Sequence, residues 1–309
     1  MDNHILVIGA TLMDVKGKPL AGLEPVTSNP ANIRITRGGN ARNVAENLGR
    51  LGADVVLITA VGDDVIGDFL LTQTAAAGVN IDYALQQENG RTGGYIAMLE
   101  ADGSLSVALD DVGMMDMITP GYLDQQRKLF RDASLVLMDG SLTLDAMNTI
   151  ARLAAKYKVP LCADPSSTRL AYKLRPFLSQ LHLVVPNELE AAELLEVDFF
   201  GHDPDSSLDL ARLLVRAGVE NAIITLSNFG LDYATSDEIG YIPANYSQIV
   251  DNIGTGDAIT AAIMFGMVNG LPITESVRLG AAAASLTVQT NETVVPDLSL
   301  DMLYDHLIV

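Results

Sequence analysis

Short, almost uninterrupted apolar runs alternate with segments of helical period along most of this chain, and no other feature restricts its fold as much. Runs at 5–8, 55–60, 135–138, 161–163, 183–185 and 222–226 read as strands. Helical patterns lie among them at 41–51, 64–77, 144–157, 168–178, 189–195 and 208–217. A strand that is apolar on both faces must be covered on both, and helices between successive strands supply the cover and the crossovers of a parallel sheet. The pattern predicts an α/β fold of three layers, with a mainly parallel central sheet flanked by helices. At 309 residues the chain can form one such domain, and a single domain over 1–309 is expected.

Two segments break the rhythm. The stretch 12–37 is punctuated by Pro and Gly and carries the alternating run Asn32-Ile33-Arg34-Ile35-Thr36. The stretch 92–112 holds two alternating runs around Asp102-Gly103, a hairpin signal. Together they predict a small β-sheet inserted into the α/β core. It reads equally as a lid over a site or as a plain surface hairpin.

The formal net charge of -20 repels nucleic-acid phosphates and anionic membranes, so neither is expected as a partner. The one cysteine, Cys162, lies in an apolar run; it cannot form an internal disulfide, and a buried inert thiol in a reducing compartment is expected. No run of 18 apolar residues is free of polar breaks, so no membrane span is expected. The first residues are polar and lead directly into a strand pattern, without the features of an export signal; the cytoplasm is the expected location.

Two stretches carry chemistry. Asp251-Asn252-Ile253-Gly254-Thr255-Gly256-Asp257 precedes an apolar helical run at 259–268. Glycines there permit a turn that exposes successive N–H groups, and a helix N-terminus adds unpaired N–H groups and the positive end of its dipole. That makes a cradle for an anion. Asp257, where the helix begins, reads either as a first-turn carboxylate or as a general base beside an anion hole. The second stretch is Arg37-Gly38-Gly39-Asn40-Ala41-Arg42-Asn43. Asn40 and Asn43 are three apart and share one side of a first helical turn. Asp14 follows the first strand, at the carboxyl edge where open α/β sheets bind ligands. One carboxylate and two amides suit a polyhydroxylated ligand, or equally a capped helix with solvated polar residues. A G-x-x-x-x-G-K-[ST] loop and a G-x-G-x-x-G turn after the first strand are both missing, which argues against a P-loop enzyme and against a dinucleotide-dependent dehydrogenase.

Taken jointly, Gly38-Gly39-Asn40 with Leu48-Gly49 and Leu51-Gly52, and the 251–257 stretch, resemble the N- and C-terminal signatures of the ribokinase-like (PfkB) family of carbohydrate and nucleoside kinases. The resemblance spans essentially the whole chain. It implies a ribokinase-like fold with a lid at 12–37 and 92–112, and an ATP-dependent phosphotransferase that uses Mg2+. It makes Asp257 the catalytic base, with anion-hole amides at Gly254, Thr255 and Gly256. It places Asp14, Gly39, Asn40, Asn43 and Thr92 at the phosphate acceptor, with Tyr95 and Asp110 as further lid contacts. Asn187, Thr225, Ser227, Gly230, Asn252, Gly254 and Gly256 would face the nucleotide. Glu190, in the family's N-x-x-E motif, would organise Mg2+ through water, and Asp251 would mark a monovalent-cation site for K+. The family's usual D-T-x-G-A-G-D differs here at Asn252 and Thr255, and Ser227 stands where the nucleotide segment usually has Gly. Stretches outside the shared apparatus, Ser28-Asn29-Pro30, Leu71-Thr72-Gln73-Thr74 and Pro296-Asp297-Leu298-Ser299, resemble the pseudouridine-kinase branch of the family. They imply the 5′-hydroxyl of pseudouridine as acceptor. Ribose, another sugar or an ordinary nucleoside is the alternative, and a non-catalytic sugar- or nucleoside-binding homologue is a third reading. Family members often pair through the lid sheet, which implies a homodimer.

Overall fold

In the computed structural model, residues 3–101, 105–199, 201, 204–226, 230–244 and 249–307 are described. Strand His4–Ile8 lies inside a large sheet. Among these residues its order is Ile239–Pro243, Gly230–Thr235, Asn221–Thr225, Leu183–Val184, Leu161–Asp164, Ala133–Asp139, His4–Ile8, Val55–Ile58, Val79–Asn80. Neighbours run parallel from Val79–Asn80 as far as Asn221–Thr225; the last two strands are antiparallel.

The two-sided cover explains the unbroken apolar runs. Leu6, Ile8, Val56, Ile58, Val136 and Met138 join one buried cluster, with helix Leu144–Tyr157. Their chain neighbours Ile5, Val7, Val55, Leu57, Leu135 and Leu137 join a second cluster, with helices Asn40–Arg50 and Thr255–Val268. Alternate residues point to opposite faces, and both faces are inside. Cys162 is buried in the second cluster, and burial pushes its thiol up, away from reactivity.

Two elements differ from expectation. The run 55–60 is not one strand. It leaves the main sheet at Thr59, whose hydroxyl bonds that of Thr11 at 2.9 Å, and Ala60–Gly62 pairs instead with Leu85–Gln87. The helical pattern at 168–178 forms only one α-turn, Thr168–Ala171, before tightening into 3-10 turns over Tyr172–Gln180. Pro176 lies inside, where it lacks the N–H an α-helix needs and its ring clashes with the preceding turn.

The two irregular segments meet in a separate sheet of order Ala31–Gly38, Leu12–Pro19, Gly94–Leu99, Leu105–Asp110. The Asp102-Gly103 turn lies outside the described residues. Period-two alternation gives this sheet two unlike faces. Asp14, Lys16, Tyr95 and Asp110 share one face; Ile33, Ile35, Ile96, Met98, Val107 and Leu109 share the other and are exposed. Among the described residues no helix is long and apolar enough to cross a membrane.

Candidate active site

Gly39 and Gly254 bring two helix N-termini together at the carboxyl edge of the main sheet. Gly39 has φ +91°, and a β-carbon there would run into the Ala10 carbonyl. Gly254 has φ +86°, and a β-carbon would run into the carbonyl of Thr293. Only glycine suits backbone conformations this close to neighbouring chain. After them begin helices Asn40–Arg50 and Thr255–Val268.

Asp257 stands in the first turn of the second helix and is 6% exposed. Its Oδ2 accepts from Asn43 Nδ2 at 2.7 Å and its Oδ1 from Asn40 Nδ2 at 3.1 Å. Burial raises its pKa from 3.8 to about 7, against the lowering pull of the Asn43 bond and of Arg42. The carboxyl thus titrates near neutrality, as a general base requires. Asp257 is thus a first-turn carboxylate, but it does not act as a side-chain cap: the N-cap is Gly254, and the Asp257 carboxylate oxygens are turned to Asn40 and Asn43 instead.

Asn43 is itself held. Arg42, fully buried, donates to Asn43 Oδ1, to Glu46 Oε2 and to the Gly38 carbonyl. Glu46 in turn accepts from Arg50. Because the Asn43 oxygen is occupied by Arg42, its nitrogen is the end turned to Asp257.

Two chambers, each about 260 Å³, share Asn40, Gly256 and Asp257 as a common wall. One is lined by Asp14, Gly39, Asn43 and Gly254, with Tyr95 and Asp110 from the second sheet. Burial raises Asp14 to about 6. The other is lined by Asn187, Glu190, Thr225, Gly230, Asn252 and Thr255. Of the residues predicted at the acceptor, Asp14, Gly39 and Asn43 line the first chamber and Asn40 lines both; of those predicted at the nucleotide, Asn187, Thr225, Gly230 and Asn252 line the second, Gly256 lines both, and Gly254 lies on the acceptor side instead.

The anion cradle is narrower than the sequence implied. The Ile253 N–H is already bonded to Asp251 Oδ1 at 3.0 Å, and Thr255 N–H leans on the Asn252 carbonyl at 3.4 Å. Ala258 N–H is the first to bond back into the helix, to the Gly254 carbonyl, so the Gly256 and Asp257 N–H groups face outward from the helix end. Thr255 Oγ1 is buried and has no hydrogen-bond partner among the described residues, an unmet donor at the wall of the second chamber. Outward N–H groups, an orphan hydroxyl and a positive dipole end suit a phosphoryl group.

Two expected assignments change. Thr92 lines neither chamber: its hydroxyl donates to Asp64 Oδ1 and its N–H to Asp64 Oδ2, both at 2.7 Å, and it accepts from Gly62 N–H at 3.1 Å. It braces Asp64, the N-cap of helix Val65–Ala76. Asp251 pairs through Oδ2 with the ammonium of Lys16 at 2.8 Å, with Arg34 Nη1 at 3.9 Å. A free monovalent cation does not fit there, because two fixed cations already face the carboxylate and would repel it. Ser227 lies outside the described residues.

The donor set does fit magnesium. Asp164, missed in the sequence, ends its strand in the nucleotide chamber with Glu190 and Asp257. Burial and these two neighbours push its carboxyl well up. Glu190 forms a capping box with Asn187, each side chain accepting from the other's N–H at 2.9 Å, and burial raises it as well. Three acids around one chamber call for positive charge. Among the described residues no three are close enough to hold a metal directly, so Mg2+ would sit on phosphate and water, oriented by Glu190 and Asp164. Asp164 could have been found only by asking which polar residues terminate predicted strands.

The model of the pfkB family of carbohydrate kinases matches residues 2–299. Pseudouridine kinase of Escherichia coli K12 is 32% identical over 302 residues, covering 96% of this chain and 94% of that protein. Ribokinase of Arabidopsis thaliana, solved with ribose and ATP, superposes with a TM-score of 0.84 at 23% identity, covering both chains fully. An E. coli structure of ribokinase II type, solved with ATP and Mg2+, has a TM-score of 0.83 at 18% identity over 98% of each chain. The family match over nearly the whole chain, with the two helix N-termini converging on one buried carboxyl, places this chain in the pfkB family of ribokinase-like carbohydrate kinases, phosphotransferases with an alcohol group as acceptor.

Proposed function

We propose that this kinase transfers the γ-phosphoryl group of ATP to the 5′-hydroxyl of pseudouridine. The observation that carries the phosphoryl-transfer chemistry is Asp257, a carboxyl titrating near neutrality on the wall shared by two chambers. The choice of pseudouridine draws on the relative of that name and on a chamber with Asp14 and Asn43 for ribose hydroxyls and Tyr95 to lie against a base.

In this reading Asp257 takes the hydroxyl proton, the acceptor oxygen bonds to the γ-phosphorus, and the bond to the bridging β–γ oxygen breaks to release ADP. Asn40 and Asn43 aim the carboxylate and hold it ionised until it accepts the proton. The N–H groups of Gly256 and Asp257 and the Thr255 hydroxyl receive the oxygens on which charge grows. Bound Mg2+ would neutralise phosphate charge.

The second sheet acts as the lid, bringing Asp14, Tyr95 and Asp110 over the acceptor and keeping water out. Its outer apolar face is covered by a second copy of the chain, which removes six large apolar side chains from water.

A coupled ADP-release assay over pseudouridine, uridine, inosine and ribose tests the proposal. Pseudouridine should turn over best. Preference for ribose or for an ordinary nucleoside would move the acceptor within the family, and measurable binding without ADP release from any acceptor would favour a binding protein instead.

A further inference from the structure

Among the described residues, the proposed reaction leaves one buried cation unused. Lys16 lies on lid strand Leu12–Pro19, two residues beyond Asp14 and on the same face, and is 4% exposed. A buried ammonium is tolerated only when it is paired. Its partner is not local: Nζ donates to Asp251 Oδ2 at 2.8 Å across 235 residues of chain. Arg34, opposite Lys16 in the lid ladder, places a guanidinium nitrogen 3.9 Å from the same oxygen and donates to Asn291 Oδ1 at 2.6 Å. The other Asp251 oxygen holds the Ile253 N–H, and the next residue, Gly254, starts the turn that presents the phosphate-facing N–H groups. A chain of contacts therefore runs from lid to carboxylate to loop backbone.

We infer that Lys16 is a positioning residue that serves as a tethered cation: it holds Asp251, and through it the 253–256 turn, in the shape that receives the phosphoryl group. The cation arrives with the lid, so this enzyme has no need of a dissolved one. Two consequences separate this role from plain packing. Turnover is indifferent to the monovalent ion in solution, and removing the ammonium while leaving its space open creates a dependence the native enzyme lacks. Filling the space with an uncharged side chain does not.

The inference rests on the kinase reading, so the wild type is assayed first with ATP and its best acceptor. Its kcat is then compared in NaCl, KCl and tetramethylammonium chloride at equal ionic strength, beside Lys16→Ala and Lys16→Met. We expect wild-type kcat to agree within about twofold across the salts. Both variants should lose roughly tenfold or more, as misplacement of a catalytic loop does. K+ or methylammonium should restore most of the loss in K16A and little in K16M. An active wild type stimulated severalfold by K+ would overturn the inference and leave the kinase reading intact. So would folded K16A that keeps its kcat, or whose loss no cation relieves. Should neither variant fold, the wild-type response to K+ decides alone.

Discussion

Replacing Asp257 with Asn should weaken catalysis and strengthen the fold, and the size of the second effect follows from the site. The carboxyl is buried, and its pKa is raised from 3.8 to about 7. The folded state then holds this proton more tightly than the unfolded chain, so stability falls as pH rises between those values and the penalty is complete above 7. A shift of this size corresponds to about 4 kcal/mol at pH 8, falling below about 2 at pH 5. Asparagine removes the charge but keeps one acceptor oxygen where the carboxylate had two, which gives back about 1 kcal/mol. The expected net gain for D257N is about 3 kcal/mol at pH 8, shrinking to under about 1 kcal/mol at pH 5. Urea unfolding of the ligand-free protein at both pH values measures it, and turnover should drop about 10²–10⁴-fold in the same preparation. A variant no more stable than wild type at pH 8, or equally stabilised at both pH values, would refute the claim that this carboxylate is held ionised at a cost. A variant with wild-type kcat would refute its role as base.

Other substitutions probe the supports. Asn43→Ala removes the 2.7 Å bond that favours the ionised form, so the acid limb of the kcat/KM–pH profile should move to higher pH. Gly254→Ala forces a β-carbon against the Thr293 carbonyl at φ +86°; about 1–3 kcal/mol of stability and most activity should be lost, read by unfolding and turnover. Thr92→Val should cost about 1–2 kcal/mol by leaving Asp64 short of a donor, yet leave the acceptor KM within about twofold. Ile35→Lys with Leu109→Lys places charge on the outer lid face; if the proposed pairing holds, sedimentation should give a dimer for the wild type and a monomer for the variant.

The middle of the fold was legible because residues such as Ile5 and Leu6 are both apolar, which only a sheet covered on both faces accommodates. The break at Thr59 was not, because the hydroxyl of Thr11 that captures it lies 48 residues away. The tightening after Ala171 was signalled by Pro176, whose missing N–H outweighs the helical period around it. In the site, local motifs identified residues that end on either side of Asp257, because glycine turns and first-turn polar residues are short-range signals. Partners set by tertiary contact escaped: Asp64 for Thr92, Lys16 for Asp251, and Asp164 beside Asp257 and Glu190. Each pairing depends on which strand ends the sheet order brings together.

The most direct test of the account is the product itself. Purified protein is incubated with MgATP and pseudouridine, and the product is examined by phosphorus NMR with coupling to the ribose protons. The account predicts a phosphate monoester coupled to the two 5′-methylene protons, formed by the wild type and scarcely by Asp257→Asn. A phosphate on another hydroxyl, or equal product from both proteins, would contradict it.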